Sequence, residues 1–341
     1  MQNQISGAAP ILIASVLWGT TGTASSLAPS GAPAAAIGSA GLAFGGLLLF
    51  LSTRGARTLH AACTGAERWL LLLGAIAVAG YPVTFYPAVA RTGVAVATVI
   101  ALGSAPVFTG LLAWIIGRSR PATRWLCATA GAVLGCAALV LGPELTDGAA
   151  PLDTAGVLLA ALAGLSYAVY ALISGRLIAH GHASGSVLGA MFGGAALLVL
   201  PVLLSTDTHW LLTWRGTAVA LHLAFFTTFV AYRLFGHGLR RTSAQTATTL
   251  TLAEPAVAAL LGVAVLGEQL PLLSWSGLVV LALALVLLTT PTRPRRPAAI
   301  VVEDGPDQRN RGRMSMRPCP VRRQGVRRTA AADTRREGAR Q

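Results

Sequence analysis

The sequence predicts an all-α integral membrane protein of ten transmembrane helices, arranged as two inverted five-helix repeats. Three observations carry that expectation. Of 341 residues, 54% are hydrophobic and 11% charged, with mean hydropathy +0.65, whereas soluble domains carry about 25% charged residues. Apolar stretches of about 20 residues recur, each long enough to cross a ~30 Å hydrocarbon core. Short residue signatures recur in order at a nearly constant separation. A soluble globular fold is excluded, and so is a β-barrel, whose strands alternate polar and apolar residues over about ten positions.

Apolar runs between charges and Pro/Gly breaks define spans at 8–28, 32–51, 69–88, 93–116, 122–142, 153–177, 184–205, 216–238, 242–266 and 271–290. The first follows MQNQISGAAP, which has no basic residue, and is interrupted by Trp18-Gly19-Thr20 without a clear cleavage site, so it is expected to stay as a span. The first two spans are rich in Gly, Ala, Ser and Thr, which membrane helices tolerate. The connections are read as short throughout.

Arginine sets the orientation. One alternating set of connections carries Arg54, Arg57 and Arg68, then Arg118, Arg120 and Arg124, then Arg176, then Arg240 and Arg241. The opposite set carries Arg91 and Arg215 with Glu144, Asp147, Asp153, Asp207 and Glu268. Both termini are therefore expected in the cytoplasm. All 26 basic residues are arginine, and 14 of them lie after Thr290 beside 5 of the 12 acids. The exclusive use of arginine fits a GC-rich bacterial genome, hence a multi-pass protein of the bacterial plasma membrane. The net charge of +14 belongs mostly to the tail and implies no nucleic-acid partner, because basic juxtamembrane segments meet anionic lipid or fix topology.

Gly117-x3-Pro121-x3-Trp125 returns as Gly267-x3-Pro271-x3-Trp275, shifted by 150 residues. Arg91-Thr92 and Ala97-Thr98 return as Arg241-Thr242 and Ala247-Thr248 at the same offset. At 149, Ala105-Pro106 faces Glu254-Pro255, and Trp18 after Ala14-Ser15-Val16-Leu17 faces Tyr167 after Ala163-Gly164-Leu165-Ser166. Two repeats follow, 1–148 and 149–290, with an Arg/Pro-rich tail at 291–341 expected to be disordered. Five spans is an odd number, so the second copy enters the bilayer in the opposite sense. Inverted repeats of this kind build many secondary transporters.

Trp18-Gly19-Thr20, Arg241-Thr242-Ser243-Ala244, Leu252-Ala253-Glu254-Pro255, Leu266-Gly267-Glu268-Gln269-Leu270 and Trp275 resemble the EamA family of the drug/metabolite transporter superfamily over residues 8–290. The resemblance implies a ten-helix exporter-type permease with a central cavity lined mainly by spans one, three, four, six, eight and nine. The chain departs from it at Arg118, where the first repeat often has Glu after Gly, and in the tail.

Glu254 lies near the middle of span nine, where an ionised carboxylate costs roughly 2.5–3.5 kcal/mol on insertion scales and should face the bundle interior. Ala247, Thr251, Ala258 and Gly262 share its helical face, and Pro255 frees a carbonyl one turn earlier. Two readings stand: a proton or substrate-ammonium site, or a structural glutamate bonded across helices. Arg233 either pairs with Glu254 or snorkels outward. His222 reads as a capped interfacial histidine rather than a proton relay.

Trp18, Tyr81, Tyr167 and Tyr170, with Ser104 and Thr251, are expected beside Glu254 as substrate-binding residues of a cavity for a small amphipathic solute. The alternative for the aromatic residues, and for Tyr86 and Tyr232, is ordinary packing or the interfacial belt. Pro82, Pro87, Pro106 and Pro255 mark bends or are simply common membrane prolines. Gly41-x3-Gly45, Gly131-x3-Gly135 and Gly189-x3-Gly193 are packing motifs, within the monomer or between the protomers of a homodimer.

Cys63, Cys127, Cys136 and Cys319 form no CxxC and have no histidine at metal-ligand spacing, so no metal and no cofactor is expected. The expected function is secondary transport, exporting a small metabolite or drug-like solute by alternating access through a lipid bilayer. A membrane-embedded enzyme would need a positioned nucleophile and base, and no such motif or catalytic residue is visible. A non-transporting sensor or scaffold is the third reading.

Overall fold

The computed structural model describes residues 2–117, 121–147 and 153–290. The arginines at 118 and 120, the repeat boundary at 148/149, Cys319 and the 291–341 tail lie outside the described residues. Everything described is helix, turn or coil, without a strand. Among the described residues, eight helical stretches are long and apolar enough to cross a membrane.

Helix α1 (Gln2–Ser26) leads to α2 (Ala34–Ser52), which starts behind Pro33 in extended backbone. The connection after α2, a plain link by its sequence pattern, holds a further helix. This α3 (Arg54–Ala62) buries Ala56 and Leu59 while Arg54, Thr58 and His60 are turned outward or half-exposed. At nine residues, about 14 Å, it is too short to cross a ~30 Å core, and its one buried apolar stripe makes it amphipathic.

A capping box opens the next helix: Thr64 Oγ1 accepts from the Glu67 N–H at 3.4 Å while a Glu67 oxygen accepts from the Thr64 N–H at 2.9 Å. That helix, α4 (Gly65–Gly117), runs for 53 residues. At 1.5 Å per residue it measures about 80 Å, over twice the ~30 Å hydrocarbon core. Gly93, at φ 81° and ψ 162°, breaks it, a backbone region open to glycine and closed to most other residues. The spans at 69–88 and 93–116 are its two arms.

Helix α5 (Thr123–Asp147) precedes α6 (Thr154–Ala179), whose first turn is capped by Asp153 accepting from the Gly156 N–H at 2.9 Å. Arg91 reaches the same Asp153 at 3.4 Å, joining two residues of the connections expected outside. Hydrogen bonds from backbone N–H groups, led by Gly156, and the Arg91 charge hold the Asp153 carboxyl below its ordinary value. Helix α7 (Ser184–Leu204) follows. Span eight is composite: α8 (Trp214–His222), a π-helical stretch (Leu223–Val230) and α9 (Ala231–Leu239). Span nine divides into α10 (Ala244–Leu250), α11 (Ala253–Leu261) and a π turn (Gly262–Leu266) closed by Gly267, and α12 (Leu272–Thr289) ends the bundle.

Packing crosses between the repeats. α4 packs chiefly on α6, α5 on α12, α2 on α7, and α1 on α9 and α11. Small side chains make these approaches close: Ala36, Ala40, Ala88, Ala97 and Ala105 are wholly buried, while Leu134, Leu158, Leu197 and Leu283 point outward. That inversion suits lipid, where tight van der Waals contact rather than water exclusion joins helices. All three Gly-x3-Gly motifs pack inside the monomer. Gly41 and Gly45 meet Leu223 and Thr228, Gly131 and Gly135 meet Ala284 and Leu281, and Gly189 and Gly193 meet Ala56 and Phe50.

Candidate functional site

The site starts from a local break in span nine. Pro255 has no N–H to continue the helical ladder, and the backbone tightens just before it: Leu252 N donates to Thr249 O at 3.2 Å and Glu254 N to Thr251 O at 3.0 Å, both three residues back instead of four. α11 then begins, with Glu254 in its first turn. The positive end of a helix favours a carboxylate there by about 0.3–1 kcal/mol.

Glu254 opens onto a cavity of about 370 Å³ whose wall includes Trp18, Tyr81, Tyr167, Tyr170 and Tyr232. That volume lies within the range of small-molecule sites, about 300–1,000 Å³. Among the described residues, Glu254 is the single carboxylate of the lining, which contains no arginine, histidine or cysteine. No ion pair or side-chain hydrogen bond is made by its carboxylate among the described residues. A metal would therefore find one carboxylate and only neutral hydroxyls in this lining.

Aromatic rings fill the wall in an interlocked chain. Tyr81 stacks on Phe85 at 5.5 Å and meets Tyr167 edge-on at 6.3 Å, while Tyr167 stacks on Tyr170 at 5.0 Å. Phe192 and Trp18 flank Tyr232 at 4.0 and 4.9 Å. The Trp18 indole N–H donates to the Thr227 carbonyl at 2.7 Å, tying α1 to the π stretch of span eight. The hydroxyls of Tyr170 and Tyr232 lie 3.2 Å apart. Repeat-related Trp18 and Tyr167 thus lie in the wall of one cavity.

Five of the seven expected residues, Trp18, Tyr81, Tyr167, Tyr170 and Glu254, border the cavity. Ser104 and Thr251 stand behind the wall. The Ser104 hydroxyl donates to the Ala101 carbonyl at 3.3 Å and packs on Gly164 of α6. Thr251 accepts from the Tyr167 hydroxyl at 2.9 Å and donates to Thr248 O at 2.9 Å, so it holds a wall residue in position. The helical face counted from Ala247 to Gly262 assumed an unbroken helix. The tightened turn at 249–254 ends that register, and of the four expected neighbours only Ala258 borders the cavity.

Arg233 does not meet Glu254: it is exposed, its guanidinium 5.4 Å from the centre of the Phe229 ring. His222 lies 2.9 Å from Thr20 Oγ1 through Nε2. Spans two and seven also contribute to the wall, through Gly38, Gly41, Leu42 and Phe192. Phe192 had no signal in the sequence, since an aromatic in an apolar run reads equally as lipid-facing. Thr98 had one, its repeat equivalence to Thr248.

The model of the EamA-like transporter family matches residues 5–141 and again residues 154–290. The chain belongs to the EamA-like transporter family. It is accordingly a multi-pass membrane transporter protein with two EamA repeats, and a small-molecule substrate and a lipid bilayer are what EamA membership implies. The uncharacterized transporter YwfM of Bacillus subtilis strain 168 is 38% identical over 291 residues, 84% of this chain and 95% of that protein. The threonine/homoserine exporter RhtA of Salmonella typhimurium strain SL1344 is 29% identical over 223 residues, 65% of this chain and 69% of its own length. A crystal structure with TM-score 0.67 and 20% sequence identity, over 83% of this chain and 96% of that one, shares the fold seen here.

Proposed function

We propose that this protein is a secondary transporter of the bacterial plasma membrane that exports a small amphipathic solute bearing an ammonium group, in exchange for protons. Ten crossings with both termini in the cytoplasm, and two repeats of opposite orientation that alternate the access of one central cavity, complete the reading. The observation that carries it is Glu254, the lone carboxylate in an aromatic cavity, without a cationic partner among the described residues. A proton and an ammonium are both attracted to one carboxylate, and neither binds well while the other is there. That exclusion couples the two flows when the cavity changes sides only with a proton or an ammonium on Glu254.

The tyrosine and tryptophan rings supply apolar area and negative faces that attract a cation, worth about 0.5–2 kcal/mol per contact. The similarity to RhtA, which is named for exporting threonine and homoserine, supports export of a small metabolite. Trp18, Tyr81, Tyr167 and Tyr170 bind the substrate directly, and Ser104 and Thr251 act through the residues they hold.

The test is transport of a panel of labelled amines and amino acids in reconstituted vesicles, with and without an imposed pH gradient. Accumulation driven by the gradient is expected for at least one cationic solute. Uptake indifferent to the gradient removes proton coupling and leaves Glu254 as a substrate ligand or a structural group.

A further inference from the structure

Away from the cavity, three side chains remote in sequence converge where α3 meets α4. Cys63, buried, follows the last residue of α3; Glu67 occupies the first turn of α4; His182 lies in the link from α6 to α7. The Cys63 sulfur, one Glu67 oxygen and one His182 ring nitrogen all lie within 4.8 Å of one another. We propose that Cys63, Glu67 and His182 form a binding site for a thiophilic divalent metal ion of the zinc class, bridging the two repeats.

The distances suit a shared central ion. In a zinc tetrahedron with Zn–S of about 2.3 Å and Zn–N or Zn–O of about 2.1 Å, sulfur and nitrogen sit about 3.6 Å apart and nitrogen and oxygen about 3.4 Å. Here the Cys63 Sγ to His182 Nε2 distance is 3.9 Å and the His182 Nε2 to Glu67 Oε1 distance is 3.3 Å. The Cys63 sulfur and the Glu67 oxygen, within 4.8 Å of each other against about 3.6 Å in the tetrahedron, close in by side-chain rotation, which completes three ligand positions and leaves a fourth for water.

A nucleophilic relay has a different geometry. There the thiol faces one imidazole nitrogen and the carboxylate the other, so that the acid orients the base. In this cluster both groups face the same Nε2, which is the arrangement of ligands around a common centre. Thiolate with imidazole selects zinc-class ions, whereas magnesium and calcium prefer all-oxygen sites.

The carboxylate is already oriented. Its Oε2 accepts from the Thr64 N–H at 2.9 Å and from the Thr64 hydroxyl at 3.0 Å, which turns Oε1 toward the histidines. His180 Nδ1 approaches the same Oε1 at 3.0 Å from the more exposed side. The nearby Arg68 does not compete, because its Nε donates to the carbonyls of His60 at 2.9 Å and Cys63 at 3.2 Å. On binding, the thiol S–H breaks, the sulfur–metal bond forms and the proton leaves to solvent, with no change of oxidation state.

This inference stands apart from the transport reading, and its test needs no substrate. Full-length protein with a histidine-free affinity tag, kept reduced in nanodiscs, is titrated with Co²⁺ as an optical probe and then with Zn²⁺ as competitor. Wild type is expected to bind one Co²⁺ with a thiolate-to-cobalt charge-transfer band that Zn²⁺ erases. The triple variant Cys127→Ser, Cys136→Ser, Cys319→Ser should keep the band, since Cys63 remains. Cys63→Ser should lose it, and His182→Ala should weaken binding by at least about tenfold, the lower bound even for groups that merely support a ligand. No band in wild type, a band lost in the triple variant, or one that survives Cys63→Ser overturns the proposal.

Discussion

Replacing Glu254 by glutamine keeps the shape of the side chain and removes only its charge. A carboxylate and an ammonium about 4 Å apart attract by about 4 kcal/mol at the effective dielectric of a protein site, and by about 1 kcal/mol in water. The cavity lies between those limits: its wall is aromatic, yet Glu254 is only half-buried and the ammonium sheds part of its hydration on entry. A net loss of about 1.4–2.8 kcal/mol, or 10–100-fold in affinity, is therefore expected for a cationic solute, against less than about threefold for a neutral analogue. Because this carboxylate has no protein partner among the described residues, Glu254→Gln leaves no group orphaned. The melting temperature should hold or rise. Binding is measured by titration of purified protein in nanodiscs, accumulation and downhill exchange in vesicles, and stability by thermal unfolding in detergent. Accumulation should vanish while downhill exchange of the solute, supplied at saturating concentration, persists. A drop in melting temperature with both activities reduced together would refute the reasoning and make Glu254 a structural residue.

Three further outcomes are expected. Trp18→Phe removes the indole hydrogen bond to the Thr227 carbonyl, at about 0.5–1.5 kcal/mol for one net hydrogen bond; the control Trp69→Phe, at a residue 72% exposed, should barely move the melting temperature, and equal shifts contradict the assignment. Gly135→Ala sets a methyl 2.5 Å from Leu281 N and 2.8 Å from Gly277 O, backbone atoms that no rotamer change can move. Destabilisation by about 1–3 kcal/mol should follow, and unchanged unfolding in detergent would dismiss the α5–α12 contact. Reporter fusions after Ser205 and after Arg240 should report opposite sides, the first external; finding both on one side removes the ten-crossing arrangement.

Much of the architecture was legible before any coordinates because membrane helices are written in composition. An apolar run of about 20 residues must satisfy its own backbone in lipid, so it is a helix whatever surrounds it. The separation of 149 residues between Trp18 and Tyr167, and between Ala105-Pro106 and Glu254-Pro255, exposes the doubling for the same reason: each repeat reuses one pattern of breaks. Glu254 stood out since a charge in such a run is rare. The short α3 escaped notice because its apolar content, Ala56 and Leu59 on one side, is too small to interrupt a basic connection.

What the sequence by itself determined was thus the membrane environment, the helical class, the repeat and the one carboxylate of the cavity. Tertiary structure alone decided which way each side chain turns. Arg233 is two turns inside its span, yet it turns outward over Phe229 instead of toward Glu254. Thr251, one turn from Glu254, is consumed by Tyr167 and the Thr248 carbonyl, because the proline-induced turn between them resets the helical register. Cys63 and His182 are 119 residues apart and belong to different repeats, so no spacing rule could join them. Local periodicity fixes what a helix is, since its hydrogen bonds span four residues. Convergence of side chains from separate helices depends on crossing geometry set by small-residue contacts spread over the whole bundle, and that information is held by no single stretch of the chain.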